Sequence, residues 1–313
     1  MLTRLLQAAS VVGVVVTLCF FLIRVAPGDP FFSGLDEPGV PVEAAAAMRE
    51  QFGYDKPVAT QYVRYIGGVV RGDFGWSHSR ARPVSEVIGS LLPNTLLLAG
   101  TGLFFGLVFG VLIGTWQGWR AETLLSRASD RALLIITSVP EFVLALGLAM
   151  LFALHWKLLP VSGMRAEGVT AFGDVARHLV LPAGTIALAV AAVIARHQRA
   201  SMRIVRDAEF MRAARASGVS EGRLVRSHAL RNAIAPVLTV FGVLLGGVAS
   251  GTVLIERIFD WPGMGRAILE AVGQRDYPLV AGAVLVTSLV VVAATLLADL
   301  ALAWADPRLR RSL

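Results

Sequence analysis

Cysteine and lysine are almost missing from this 313-residue chain. Its one cysteine, Cys19, lies in an apolar run, which excludes a disulfide framework and a thiolate metal cluster. Neither of its two lysines, Lys56 and Lys157, follows a glycine. No phosphate-binding loop of the Gly-Lys-Ser/Thr kind exists, so the chain does not hydrolyse ATP itself. His78, His155, His178, His197 and His228 are scattered without metal spacing, no serine elbow is present, and Val248-Ala-Ser-Gly251 is only a fragment of an intramembrane serine protease motif. The expectation is a protein that is no enzyme and holds no cofactor or metal. Charge is scarce too, at 16% against 55% apolar residues, which is too oily for a soluble protein and long enough for several membrane spans. A formal charge of +7 would suggest nucleic acid in a soluble chain. Here the positive-inside bias of membrane proteins accounts for it, and no nucleic-acid partner is expected.

What is present is a series of uncharged runs. Leu5 to Ile23 follows Arg4 and can cross a hydrocarbon core of about 30 Å. It exceeds a signal-peptide core of about 7 to 15 residues, so it reads as an uncleaved first span within residues 1–26. Residues 27–92 are polar enough to be an extracytoplasmic subdomain. Within them Val58, Tyr62, Tyr65, Ile66 and Val69 mark one face of a helix, and Gly72-Asp-Phe-Gly-Trp-Ser77 closes it with a turn. Val84, Val87, Ile88 and Leu91 then suggest a short helix along the interface before the chain dives at Pro93.

Five further spans follow in a core over residues 93–303, ahead of a tail at 304–313. The second lies within Val87 to Trp119, the third from about Ala132 to Leu154, and the fourth from Leu179 to Ala195. The fifth runs from Ala233 to Ile255 and the sixth from Tyr277 to Ala298. Gly102, Gly106, Gly110 and Gly114 form a ridge for close approach of another helix, as do Ala183, Ala187, Ala191 and Ala195, and Gly242, Gly246 and Ser250. Trp261 and Tyr277 read as interface anchors and Pro262-Gly263 as a turn. The fold class is therefore all-α, a polytopic membrane protein of six transmembrane helices. With the long first outer loop largely exempt from the charge rule, the inner segments hold more Lys and Arg, so both termini are expected in the cytoplasm.

The most charged stretch of this core runs from Ala200 to Pro236, with seven arginines against three acids. It must lie in water, and its charge places it in the cytoplasm. A plain solvated loop would only fix topology. This one is ordered as helix, break, helix. Ile204, Ala208, Met211, Ala214 and Arg215 fall at helical spacing, Gly218 suits a left-handed terminator, and Ser220-Glu221 restarts a helix. Small residues on one face and arginines on another suit docking into a groove of a partner protein.

Phe210-Met-Arg-Ala-Ala-Arg-Ala-Ser-Gly218 and His228-Ala-Leu-Arg-Asn-Ala-Ile-Ala-Pro236 resemble the cytoplasmic EAA loop of ABC importer permeases, in the dipeptide, oligopeptide and nickel branch. Against the pattern Glu-Ala-Ala-x3-Gly-x9-Ile-x-Leu-Pro, the residues Ala213, Ala214, Gly218 and Leu230 match. Arg212, His228 and Arg231 depart from it, as similar departures do in the peptide branch. Arg24-Val-Ala-Pro-Gly-Asp-Pro30, Gly-Tyr-Asp-Lys-Pro57, Gly-Asp-Phe-Gly75, Glu256 to Gly265, Arg275-Asp-Tyr-Pro278 and Asp306-Pro-Arg308 are similar to signatures of the same family. The resemblance implies a type I ABC importer permease fold with an extracytoplasmic insertion between helices 1 and 2, in a bacterial inner membrane. It implies partnership with a second permease, two ABC ATPase subunits that hold the ATP and magnesium, and an extracytoplasmic substrate-binding protein. It also implies a coupling loop within residues 200–235. There the docked helix lies around Ala208 to Gly218 and includes Phe210; Arg212 and Arg215 are candidates for the ATPase contact, Ala213 and Ala214 for close fit, and Gly218 for the turn. Peptides are the expected cargo, with glutathione-like thiols or chelated nickel as alternatives.

A proton- or sodium-coupled carrier would place ionisable groups inside its spans. Five spans have charge-free centres, with Asp130 and Asp299 near the cytoplasmic ends of the third and sixth. This disfavours a secondary carrier, and the ordered loop disfavours a mere scaffold. The exception is Glu141, after Pro140 and well inside the third span. It either lines the translocation path, where it would favour cationic groups, or pairs with a partner subunit.

Overall fold

The computed structural model of the chain describes residues 2–25, 56–166, 168–169 and 171–305. Residues 26–55, with the Ala26–Pro30 part of the first signature and Gly53–Asp55 of the second, and Asp306-Pro-Arg308 lie outside them. In chain order the helices are α1 (Leu2–Val25), α2 (Val58–Val70), α3 (Val84–Trp119), α4 (Leu124–Ser138), and α5 (Glu141–Leu148, continued by a π-helical stretch Ala149–His155). They are followed by α6 (Phe172–Arg206), α7 (Glu209–Ala216), α8 (Leu230–Ile258, led by a helical turn Glu221–Arg223 and a π-helical stretch Leu224–Ala229), α9 (Met264–Gly273) and α10 (Tyr277–Ala305). Two short strands, β1 (Trp76–Ser77) and β2 (Arg82–Pro83), pair antiparallel, with Trp76 opposite Pro83 and Ser77 opposite Arg82.

Among the described residues four helical segments are long and apolar enough to cross a membrane: α3, α6, Glu221–Gly247 and Tyr277–Ala298. A fifth candidate is the pair α4 and α5, bent by 108° at its break, while Ala9–Leu22 of α1 is a shorter apolar helix. The described residues divide into two compact units, one formed by the chain up to Asn94 with Gly263–Val290, the other by Thr95–Pro262 with the chain from Val291.

In the first unit, Tyr62, Tyr65, Ile66 and Val69 of α2 are half-buried, as their spacing requires, whereas Val58 at the start of the expected face is exposed. Thr17 Oγ1 and Tyr62 Oη share a hydrogen bond of 2.8 Å, and the Phe20 ring meets Tyr62 edge-on at 5.2 Å. The turn after α2 is built by Gly72 and Gly75, both at positive φ, with the Gly75 amide donating to Asp73 Oδ1 at 3.0 Å. No separate interfacial helix follows. Val84 begins a single helix of 36 residues that runs through Pro93. Its first apolar face, Val84, Val87 and Ile88, packs on Met264, Ala271, Leu279 and Ala283, so it is used on protein instead of a membrane surface. Helix α9 was not expected. Its C-terminus turns at Arg275 (φ 56), and Asp276 then caps α10. The Asp276 carboxylate is 1% exposed and accepts from Ser77 Oγ (2.6 Å), Ser79 N (3.0 Å), Ser79 Oγ (2.6 Å) and the Leu279 amide (3.3 Å). One side chain thereby ties the β1–β2 hairpin to the start of α10.

The second unit is organised by α6. A Cβ added at Gly102, Gly106 or Gly110 would lie 2.6 Å from the Cβ of Ile186, Val190 or Ile194, and one at Gly118 would lie 2.5 Å from that of Met202. The glycine ridge of α3 therefore runs parallel to α6 in steps of four residues. The carbonyls of Ala183, Ala187 and Ala191 close on the same glycines, so the two ridges read from the sequence are one interface. Gly242 and Gly246 meet Ala298 and Val291 of α10 only at ordinary contact distance, 3.4 and 3.8 Å.

The expectations for the third span and for Trp261 fail in this unit. The third span is not continuous: Pro140 has no amide hydrogen to give, Val139 is extended (φ −89, ψ 128), and α5 starts afresh. Trp261 is no interface anchor. It is fully buried with Ile255 and Phe259, and its amide donates to the Glu256 carbonyl at 2.8 Å. Glu256, also buried, accepts from Thr95 Oγ1 at 2.7 Å.

Candidate functional site

The basic segment is continuous with the helices on both sides of it. α6 does not stop at Ala195 but extends to Arg206, and a helical run returns from Glu221 into α8. The single helix expected from Ile204 to Arg215 is broken at Asp207-Ala208, where Ala208 is extended (φ −68, ψ 150) and serves as the N-cap of α7. The break has a packing cause. In one helix Ile204 and Met211 would share a face, whereas here Ile204 is 75% exposed and Met211 is fully buried. Met211 joins Met202, Leu224, Ala229 and Ala233 in a small core, with Trp119, Val205, Ala214, Val219 and Val225 around it. In a segment too charged for lipid, burying a Met or Leu side chain contributes about 1.5–3 kcal/mol. The loop is thus held by a core of its own, in which the ends of α3, α6 and α8 take part.

Gly218 ends α7 at φ +80. The Val219 amide donates to the Ala214 carbonyl (3.2 Å) and the Gly218 amide to that of Arg215 (3.0 Å), the two bonds of a Schellman motif. Val219 and Ala214 both lie on the loop core, which supplies the apolar contact of that motif. Ser220 then caps the next turn with extended backbone (φ −64, ψ 146).

The expected contact residues separate into two sets. Arg215 is engaged within the chain: its Nε donates to Glu221 Oε1 at 3.0 Å, and its guanidinium lies 5.5 Å above the Trp119 ring. Ala214 faces the loop core. Arg212, Ala213 and Phe210 are exposed, Phe210 at 46%, and Arg212 makes no ion pair among the described residues. Trp119 was missed by sequence reasoning. It also receives Arg206 Nη1 on its carbonyl at 3.3 Å, so two arginines of the loop converge on the end of α3. The signal was a tryptophan closing a long uncharged run immediately before Arg120.

Glu141 is not in mid-helix. It is the first residue of α5, half-buried, after the Pro140 elbow. A helix N-terminus offers unpaired amides and a positive dipole end, so a carboxylate costs less there than in the middle of a span. Asp130 forms an ion pair with Arg199 of α6. Among the described residues no group of three His, Cys, Asp or Glu side chains could hold a metal ion.

Residues 94–311 match the family described as binding-protein-dependent transport system inner membrane component, and residues 1–99 match its N-terminal counterpart. The chain is 36% identical to the glutathione transport system permease protein GsiC of Salmonella paratyphi A over 99% of this chain and 98% of that one. It is 34% identical to the dipeptide transport system permease protein DppB of Escherichia coli, over 94% and 93%. A chain of the MetNI methionine ABC transporter, solved in inward facing conformations, superposes with a TM-score of 0.57. That match covers 70% of this chain and 96% of the other at 16% identity, which speaks for the fold. A helical chain with several apolar membrane helices, an ordered basic loop on its own core, and matches along its whole length belongs to the family of binding-protein-dependent transport system inner membrane components, the permease subunits of ABC importers.

Proposed function

We propose that this chain is one of two permease subunits of a bacterial importer for di- or oligopeptides, working with a second related permease, two ATPase subunits and an extracytoplasmic binding protein. The observation that carries this reading is α7: a helix anchored by Met211, terminated by Gly218 and presenting Phe210, Arg212 and Ala213 outward. Phe210 and Ala213 suit a groove on the ATPase, with Arg212 for an acidic contact at its rim. Ala208, Ala214, Arg215 and Gly218 set the pose of the helix. ATP-driven closure of the ATPases would move α7. Because α6 and α8 enter the same core, both would move with it and rock the pathway between inward-open and outward-open.

In this reading six spans cross the inner membrane with both termini in the cytoplasm. The bent pair α4–α5 counts as the third span and α1 as the first, and residues 27–92 form the extracytoplasmic insertion. Glu141 lines the path and favours the amino terminus of a peptide. Relatives named for dipeptide and for glutathione transport support a peptide-like cargo. Glutathione, or a nickel chelate, stays the second reading for the same mechanism. The reading is tested by purifying the chain from its own membranes in mild detergent and identifying its companions and any ligand by mass spectrometry. Recovery of a P-loop ATPase, a second permease and a peptide-loaded binding protein is expected. Recovery of the chain alone or as a simple homo-oligomer overturns the reading in favour of a carrier or a scaffold.

A further inference from the structure

The ion pair of Arg199 with Asp130 joins α6 to α4, and both side chains are largely buried. Arg199 shares a face of α6 with Met202 and Arg206, three and seven residues on, the two residues that bind the end of that helix to the loop core and to the Trp119 carbonyl. The layer around the pair is polar. Gln117 Nε2 donates to Ser129 Oγ (2.9 Å), Ser126 Oγ to the Gln117 carbonyl (3.2 Å), and Gln198 Nε2 to Thr115 Oγ1 (3.0 Å). The pair closes a set of polar links between α3, α4 and α6, and a shift of α6 against α4 can exchange such partners where an apolar seam would have to be opened.

Asp130 lies eight residues before Ser138, where α4 ends at the elbow. A rigid helix carries a push on Asp130 to Val139-Pro140, and Glu141 is the next residue. We propose that Asp130 and Arg199 are positioning residues of the transport cycle: their pair passes displacement of α7 along α6 to α4, and so resets the elbow that places Glu141. This rests on the reading of the loop as the ATPase-coupling element.

The test uses the complete transporter in proteoliposomes with its ATPases and its binding protein. Asp130→Asn and Arg199→Gln are expected to keep basal ATP hydrolysis within about twofold but to lower substrate moved per ATP about tenfold, and the swapped pair Asp130→Arg with Arg199→Asp to recover most of it. A second readout is the α3–α4 distance by pulsed EPR. It uses spin labels on cysteines introduced at the exposed Leu112 and Ile135 in a Cys19→Ser background. Wild type should show an ATP-dependent shift, Asp130→Asn none. If Asp130→Asn fails to assemble, Arg199→Lys, which keeps the charge but loses Nε, serves the same comparison. Equal shifts and an unchanged transport ratio in wild type and variants overturn the link between α6 and α4 alone. No ATP-dependent shift in wild type overturns the coupling reading along with it.

Discussion

At φ +80, Gly218 holds a conformation that costs an ordinary residue about 1–2 kcal/mol, and more for a β-branched one. A Cβ placed there would meet nothing within 4 Å, so the penalty of a substitution is backbone strain and not collision. Gly218→Val should therefore leave the chain in the membrane while displacing the end of α7, so that ATP is hydrolysed without uptake. Gly218→Asn, which tolerates the left-handed region, should retain most of the coupling. ATP hydrolysis and uptake measured in one vesicle preparation decide this, and normal transport by Gly218→Val would contradict it. Glu141 is the other single residue of consequence. Glu141→Gln keeps the shape of the side chain and removes its charge, and uptake of substrates with a free amino terminus should fall while the amount of chain in the membrane stays the same. Unchanged uptake of every substrate would remove Glu141 from the path. Gly218 could be recognised from its place after a short helical pattern. The true setting of Glu141 could not, because a proline before an acid reads equally as a kink or a fresh start.

Among the elements, the α3–α6 interface depends most on small residues. Burying apolar surface gives no advantage between helices surrounded by lipid, so close approach must come from backbone contact and dispersion. At Gly110 an added Cβ would lie 2.6 Å from that of Ile194, whereas at Gly100 it would meet nothing within 4 Å. Gly110→Leu should force the helices apart and cost at least the 1–3 kcal/mol typical of overpacking, and Gly100→Leu should be tolerated. The amount of chain recovered from membranes and its thermal stability in detergent compare the two. Equal behaviour would mean that the interface yields. The hairpin tie is a second element-scale case. Asp276→Ala removes the cap of α10, worth about 1 kcal/mol, and strips the acceptor from the buried Ser77 hydroxyl at about 1–3 kcal/mol more. A lowered Tm of the purified protein is expected, with Asp276→Asn in between; an unchanged Tm for Asp276→Ala would show the tie to be dispensable.

At the scale of the whole molecule, the family matches run from residue 1 to residue 311, and the orientation proposed above is open to a direct test. A fluorescent reporter fused after Leu313 should light up in the cytoplasm, and an alkaline phosphatase fused there should stay inactive. The reverse pattern would overturn the six-span count or its direction. Apolar length, charge and glycine are local properties, written in consecutive residues, and for that reason the sequence by itself determined the helical class, most of the membrane segments, the ordered basic loop and its terminator. Pairings between distant residues were decided only by the tertiary structure. It broke the loop helix at Asp207-Ala208 so that Met211 could reach Met202, turned Arg215 onto Trp119, and buried Trp261 away from the interface. Periodicity tells which residues share a face, but what a face meets depends on elements far along the chain.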